Sequence, residues 1–165
     1  MLLKSVIQSF LALLVLTCSI CQNAGAHTSI DPPSVNEGTQ SQNHIVINHG
    51  CGDQAVIGTS YVIPDGVSST VNVDGNTYNG PLSDFIQNWG NSIEIYQDRS
   101  LFSEQDHKFD DKGNVVGFWL GGGRSLSPHL KGRILFVSGA VLFVPESCAK
   151  VVRFVFAGVD ICKIT

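Results

Sequence analysis

From residue 27 onward the apolar positions fall in short runs rich in Val, Ile, Phe and Tyr, each closed by turn residues, which is the signature of strands. The runs predict strands over 44–48, 55–63, 69–73, 92–97, 115–120, 133–144 and 150–159. Pro64-Asp65-Gly66, Asp74-Gly75, Lys112-Gly113-Asn114 and Pro145-Glu146-Ser147 supply turn chemistry between them. One stretch departs from the pattern. Over 80–89, Leu82, Phe85, Ile86 and Trp89 recur at helical spacing around Ser83, a cap residue, and predict one short helix across the end of the sheets. Strands at this spacing predict a mostly β, single-domain, antiparallel two-sheet sandwich. The stretch 98–111 reads as the one long irregular segment, and no internal repeat or low-complexity tract interrupts the chain.

The first 26 residues have a different character. Lys4, an apolar run over 10–20 and the small-x-small end Ala24-Gly25-Ala26 read as a signal peptide cleaved before His27. The run is about half of the roughly 20 residues that span a bilayer, and no second one follows, so the expectation is a secreted domain over 27–165 in the periplasm or at the cell surface, without a transmembrane segment. A lipoprotein reading through Cys18 or Cys21 is weaker, because Thr17 and Ile20 are poor neighbours for lipidation. Cleavage leaves nine Lys and Arg against fourteen Asp and Glu. That acidic balance argues against nucleic acid and anionic lipid as partners, and suits a protein that meets cations.

Three cysteines remain after cleavage, Cys51, Cys148 and Cys162, which in an oxidising compartment means one disulfide and one free or intermolecular thiol. A strand over 150–159 rises about 3.3 Å per residue, holding Cys148 and Cys162 beyond the roughly 7 Å that a bridge tolerates between Cα atoms. Cys51 therefore belongs to the disulfide.

The chain lacks a G-x-S-x-G elbow, a phosphate-binding G-x-x-x-x-G-K-[ST] loop, an H-E-x-x-H pair and a calcium-loop spacing. Gly121-Gly122-Gly123-Arg124 has no Lys-Ser or Lys-Thr after it and reads as a flexible hairpin between strands. Five histidines carry the candidate chemistry. His44 and His49 are five apart and would point to opposite faces of one unbroken strand, with His49 in a turn beside Cys51. His129 follows Pro128 in a loop and reads as a surface residue. His107 sits among five acidic residues of 98–111, where Phe102 and Phe109 could anchor the loop and present it. His27 differs from all of these, because as a mature amino terminus it offers an amine and an imidazole together. Such nitrogen donors suit copper(II), which also heads the divalent affinity order.

His27-Thr28-Ser29-Ile30-Asp31-Pro32-Pro33-Ser34-Val35, His49-Gly50-Cys51-Gly52-Asp53, Val62-Ile63-Pro64-Asp65-Gly66-Val67 and Phe143-Val144-Pro145-Glu146-Ser147-Cys148 resemble, in order and style, the YcnI-like periplasmic copper-binding domain. With Gln105-Asp106, Gly113-Asn114-Val115-Val116-Gly117-Phe118 and the Cys162 tail, the same segments are similar to the MopE and CorA copper-binding surface proteins of methane-oxidising bacteria. The resemblance implies a β-sandwich with a metal-binding terminal histidine, here His27, joined in the YcnI-like pattern by a carboxylate and a nearby tryptophan, for which Glu37 and Trp119 are the candidates. In the methanotroph group two histidines hold copper; His44 matches the first, with Gln42 where that group has an oxidisable tryptophan, and His107 is the candidate for the second. The Cys51 and Cys148 motifs, taken with the intervening strand, imply a Cys51–Cys148 disulfide and a reduced or intermolecular Cys162.

The expectation is an extracytoplasmic copper-binding protein, not an enzyme, that serves acquisition, delivery or buffering of copper through His27, His44 and His107, with a membrane or surface copper-handling protein as a possible partner. The alternative is a structural or interaction sandwich without a metal. A copper oxidase or monooxygenase stands third.

Overall fold

A computed structural model describes residues 28–64, 69–89 and 93–163. The expected leader over 1–26 and His27 lie outside the described residues, as do parts of the 64–66 turn and the first residue of the predicted 92–97 strand. The strands are β1 (Thr28–Asp31), β2 (Ser41–Ile47), β3 (Val56–Val62), β4 (Val71–Val73), β5 (Asn76–Tyr78), β6 (Ile86–Gln87), β7 (Ile93–Ile95), β8 (Glu104–Phe109), β9 (Val115–Leu126), β10 (Gly132–Ser138), β11 (Leu142–Phe143) and β12 (Ala157–Cys162). Two four-stranded sheets form the sandwich, ordered β1-β2-β10-β7 and β12-β3-β9-β8, with small β4–β5 and β6–β11 pairs beside them. Every described pairing in them is antiparallel.

Alternation builds the core. Ile45 and Ile47 of β2 with Ile134 and Phe136 of β10 face Tyr61 of β3 and Phe118 and Leu120 of β9 across the layer. Rings bridge it: Phe118 lies 5.4 Å from Tyr61 and 6.2 Å from Phe136, and Phe136 lies 5.9 Å from Phe156. Each large apolar side chain buried this way contributes roughly 1.5–3 kcal/mol.

Several expected elements are replaced by others. The short helix over 80–89 is instead a 3-10 turn, Leu82–Asp84, followed by β6. Its apolar residues serve separate contacts: Ile86 is buried as β6 pairs with Phe143 of β11, while Trp89 stacks 3.8 Å from Phe154 and donates its indole N–H to the Pro64 carbonyl at 3.0 Å. A segment this short forms a stable helix only when packing supports it, and here packing favours the strand. The predicted 133–144 strand breaks into β10 and β11, and the irregular stretch 98–111 contains β8. Gly121-Gly122-Gly123 runs within β9 and is not a hairpin; Gly122 and Gly123 take φ of 72° and 62°, and the register steps from Gly121 opposite Gly58 to Leu126 opposite Val56.

The disulfide also differs from the implied one. Cys51 bonds Cys162, with Cα atoms 6.2 Å apart, and Cys148 is free and exposed. The ladder of β12 starts at Ala157 and ends at Cys162, later than the predicted 150–159 strand. Antiparallel pairing then sets Cys162 opposite Val56, and the Lys163 amide donates to the Ala55 carbonyl at 2.9 Å. The Cys51–Gln54 turn lies immediately before that point, so register delivers Cys162 to Cys51. In the chain-entropy account, closing a loop of this span stabilises the fold by about 4–5 kcal/mol.

Candidate metal centre

His44 and His107, the expected histidine pair, stand in different sheets. On β2 the residues Asn43, Ile45 and Ile47 are buried, so His44 lies on the outer face of the first sheet, opposite Asp31 of β1 and Leu135 of β10. Arg133 binds both of its polar neighbours there, with Nη2 2.7 Å from the Asp31 carboxylate and 3.3 Å from His44 Nδ1. A guanidinium only donates, so Nδ1 accepts and a neutral ring carries its proton on Nε2. His44 Nδ1 is thereby committed, and a metal at that nitrogen would have to displace Arg133. The Asp31–Arg133 pair is more than half exposed on each side, which limits its worth to about 0–1 kcal/mol.

His107 belongs to β8 rather than to a loop, and it pairs with the fully buried Phe118 of β9. Directly opposite residues share a face, so its ring turns toward the core. Its Nε2 is buried without a hydrogen-bond partner, while its backbone N–H donates to the Asp106 carboxylate at 2.7 Å. His44 outside one sheet and His107 inside the other are separated by the backbone of the first sheet. The structure does not bring them together.

The other sequence candidates are dispersed. His49 Nδ1 lies 2.6 Å from the Gly50 carbonyl, beside the disulfide, and His129 is exposed between β9 and β10. A Glu37 carboxylate oxygen accepts the Phe143 amide at 2.8 Å and ties a loop to β11. Trp119 is half-buried on β9, between Ser60 of β3 and Asp106 of β8. Among the described residues, no group of three or more His, Cys, Asp or Glu side chains is placed to hold a metal ion.

At the first described residue the two sheets meet through a carboxylate that the sequence reading overlooked. Thr28 donates its hydroxyl to one oxygen of Asp160, on β12, at 2.9 Å. The other oxygen accepts Thr59 at 2.7 Å and Tyr61 at 3.4 Å, both from β3. Burial raises the Tyr61 hydroxyl well above its ordinary pKa, and the Asp160 charge adds to the effect. Asp160 and Thr28 are 132 positions apart in the chain, so no local pattern links them. The alternation Val159-Asp160-Ile161 suggests an Asp turned to water, whereas its carboxylate gathers hydroxyls from β1 and β3.

No helix among the described residues is long and apolar enough to cross a membrane. No family model matches the chain, and neither a curated protein nor a solved structure shows significant similarity to it.

Proposed function

We propose that this chain is an extracytoplasmic copper-binding protein that holds the ion without transforming a substrate, in acquisition, delivery or buffering. The observation that supports the reading is the tie between Thr28 and Asp160. His27 is joined to Thr28 by one peptide bond, and consecutive Cα atoms are about 3.8 Å apart. A terminal histidine one residue before Thr28 would bring an amine and an imidazole within chain reach of that carboxylate, which hydroxyls from β3 anchor. Two nitrogens and an oxygen suit copper(II). Asp160 fits the part beside the terminal histidine better than Glu37, because Thr28, the residue after His27, bonds Asp160, whereas Glu37 is tied to the β11 loop. The Cys51–Cys162 bond is compatible with an oxidising compartment.

Copper(II) titration of three forms tests the reading: the chain beginning at His27, the same chain with one glycine ahead of His27, and Asp160→Asn. The added peptide bond removes the amine, so binding should weaken by at least about tenfold, or about 1.4 kcal/mol. Asp160→Asn should weaken it less and leave the fold intact. Equal affinity in all three forms would move the site away from His27. A second reading, a structural or interaction sandwich with incidental histidines, draws on the placement of His44 and His107 in different sheets, and no binding by any form would favour it.

A further inference from the structure

The second sheet ends in two open edges of opposite charge, and we propose that β12 of one molecule pairs with β8 of a second copy, so that the sheet continues from molecule to molecule. The order β12-β3-β9-β8 leaves these two strands at the borders. On β12 Val159 is 65% exposed and Ile161 50%, and just before the strand Val151 and Val155 are 73% and 81% exposed. Residues 150–156, just before β12, form no backbone ladder, and their exposure alternates as in a strand. An edge of this kind presents unpaired N–H and C=O groups to any strand that fits it.

Charge selects the partner. Between 150 and 163 the cations are Lys150, Arg153 and Lys163, all exposed, and the single acid, Asp160, turns inward opposite the buried Thr59. Along the opposite border, 98–111 holds five acids, Asp98, Glu104, Asp106, Asp110 and Asp111, against Arg99 and Lys108. Pairing β12 with another β12 would bring like charges together. Pairing it with β8 brings opposite ones together.

Direction agrees with charge. Three antiparallel steps separate β12 from β8, so the two run in opposite directions, and a copy displaced along the sheet presents its β8 antiparallel to β12 with the same face outward. With Glu104 of the second copy opposite Lys163, Lys108 falls across from Val159, and the Asp110-Asp111 turn extends toward Arg153. Phe109, 58% exposed, then falls across from Gly158, which carries no side chain to oppose its ring. Because the two surfaces differ, the contact is heterologous and does not close into a dimer.

Sedimentation velocity of the full chain at about 20 mM and about 500 mM salt tests this, since the Debye length shrinks severalfold between them. Species larger than a dimer are expected at low salt, with association roughly tenfold weaker at high salt. Two charge-reversed forms, Arg153→Glu with Lys163→Glu and Glu104→Lys with Asp111→Lys, alter exposed side chains. Each should be monomeric alone, and their equimolar mixture should associate again, because every β12 then meets a β8 of opposite sign. A parent that is monomeric at low salt, or stops at a dimer, overturns the proposal without reference to the variants. So does a mixture of folded variants, checked by melting, that stays monomeric.

Discussion

β2 and β12 both place branched apolar side chains at alternate positions, Ile45 and Ile47 in one and Val159 and Ile161 in the other, yet those positions face opposite ways. In β2 Ile45 and Ile47 turn inward, 1% and 0% exposed, while Val46 shares the outer face with His44. In β12 Val159 and Ile161 turn outward and Gly158 and Asp160 turn in. The neighbours explain the inversion. β2 is flanked by β1 and β10 and supplies bulk to the layer. β12 is a border strand paired only with β3, and Tyr61 of β3 already fills the space behind it: a Cβ on Gly158 would lie 2.7 Å from the Tyr61 ring. What remains inward is room for a carboxylate to meet the Tyr61 and Thr59 hydroxyls. An alternating pattern therefore defines a strand without defining which face is buried.

The contrast is sharpest in truncation. Ile47→Ala should cost about 2–5 kcal/mol, because it removes a fully buried side chain and leaves a cavity. Ile161→Ala should cost less than about 0.5 kcal/mol, as exposed positions usually do. Urea unfolding of both variants checks this, and equal losses would mean that β12 buries its apolar face after all.

The cysteines extend the comparison to the end of β12. Cys162→Ser should destabilise by about 2–5 kcal/mol, as removal of a native bridge commonly does, whereas Cys148→Ser should leave stability nearly unchanged. Non-reducing peptide mapping of the parent should recover Cys51 linked to Cys162. A Cys51–Cys148 peptide would displace β12 from its place beside β3.

A smaller effect belongs to the polar network behind β12. Tyr61 is held in its neutral form, mainly by burial and further by the Asp160 charge, so its folded pKa lies above the unfolded value near 10. The stabilisation is complete below that pH and is lost as pH rises through the folded pKa. Tyr61→Phe should flatten the alkaline fall in melting temperature. Phenolate absorbance of the parent should show one tyrosine ionising only on unfolding. Titration of Tyr61 near pH 10 in the folded protein would place its hydroxyl in water rather than against Asp160.

Much of the β framework is legible along the chain, because β3, the first half of β9 and most of β10 are runs whose β-branched and aromatic residues fit a sheet wherever they pair. β8 is not legible: Glu104-Gln105-Asp106-His107-Lys108-Phe109 has a polar composition, and it becomes a strand because β9 offers it a partner. The candidate site divides likewise. The expectation of a leader ending before His27 comes from a local feature, Ala24-Gly25-Ala26-His27. Asp160 is not, since its partners Thr28 and Thr59 are more than a hundred residues away.

The sequence by itself determined a mostly β chain, the turns around Asp74-Gly75 and Lys112-Gly113, and, from the extended run between Cys148 and Cys162, the membership of Cys51 in a disulfide, because propensity, turn geometry and the reach of a short extended segment are properties of neighbouring residues. Only the tertiary structure decided that Cys162 is the other half of that bond, that His44 and His107 lie in different sheets, and that Asp160 faces Thr28. Those outcomes depend on sheet order and register. Both are set when distant strands compete to bury the same core, so neither is written in any single stretch of the chain.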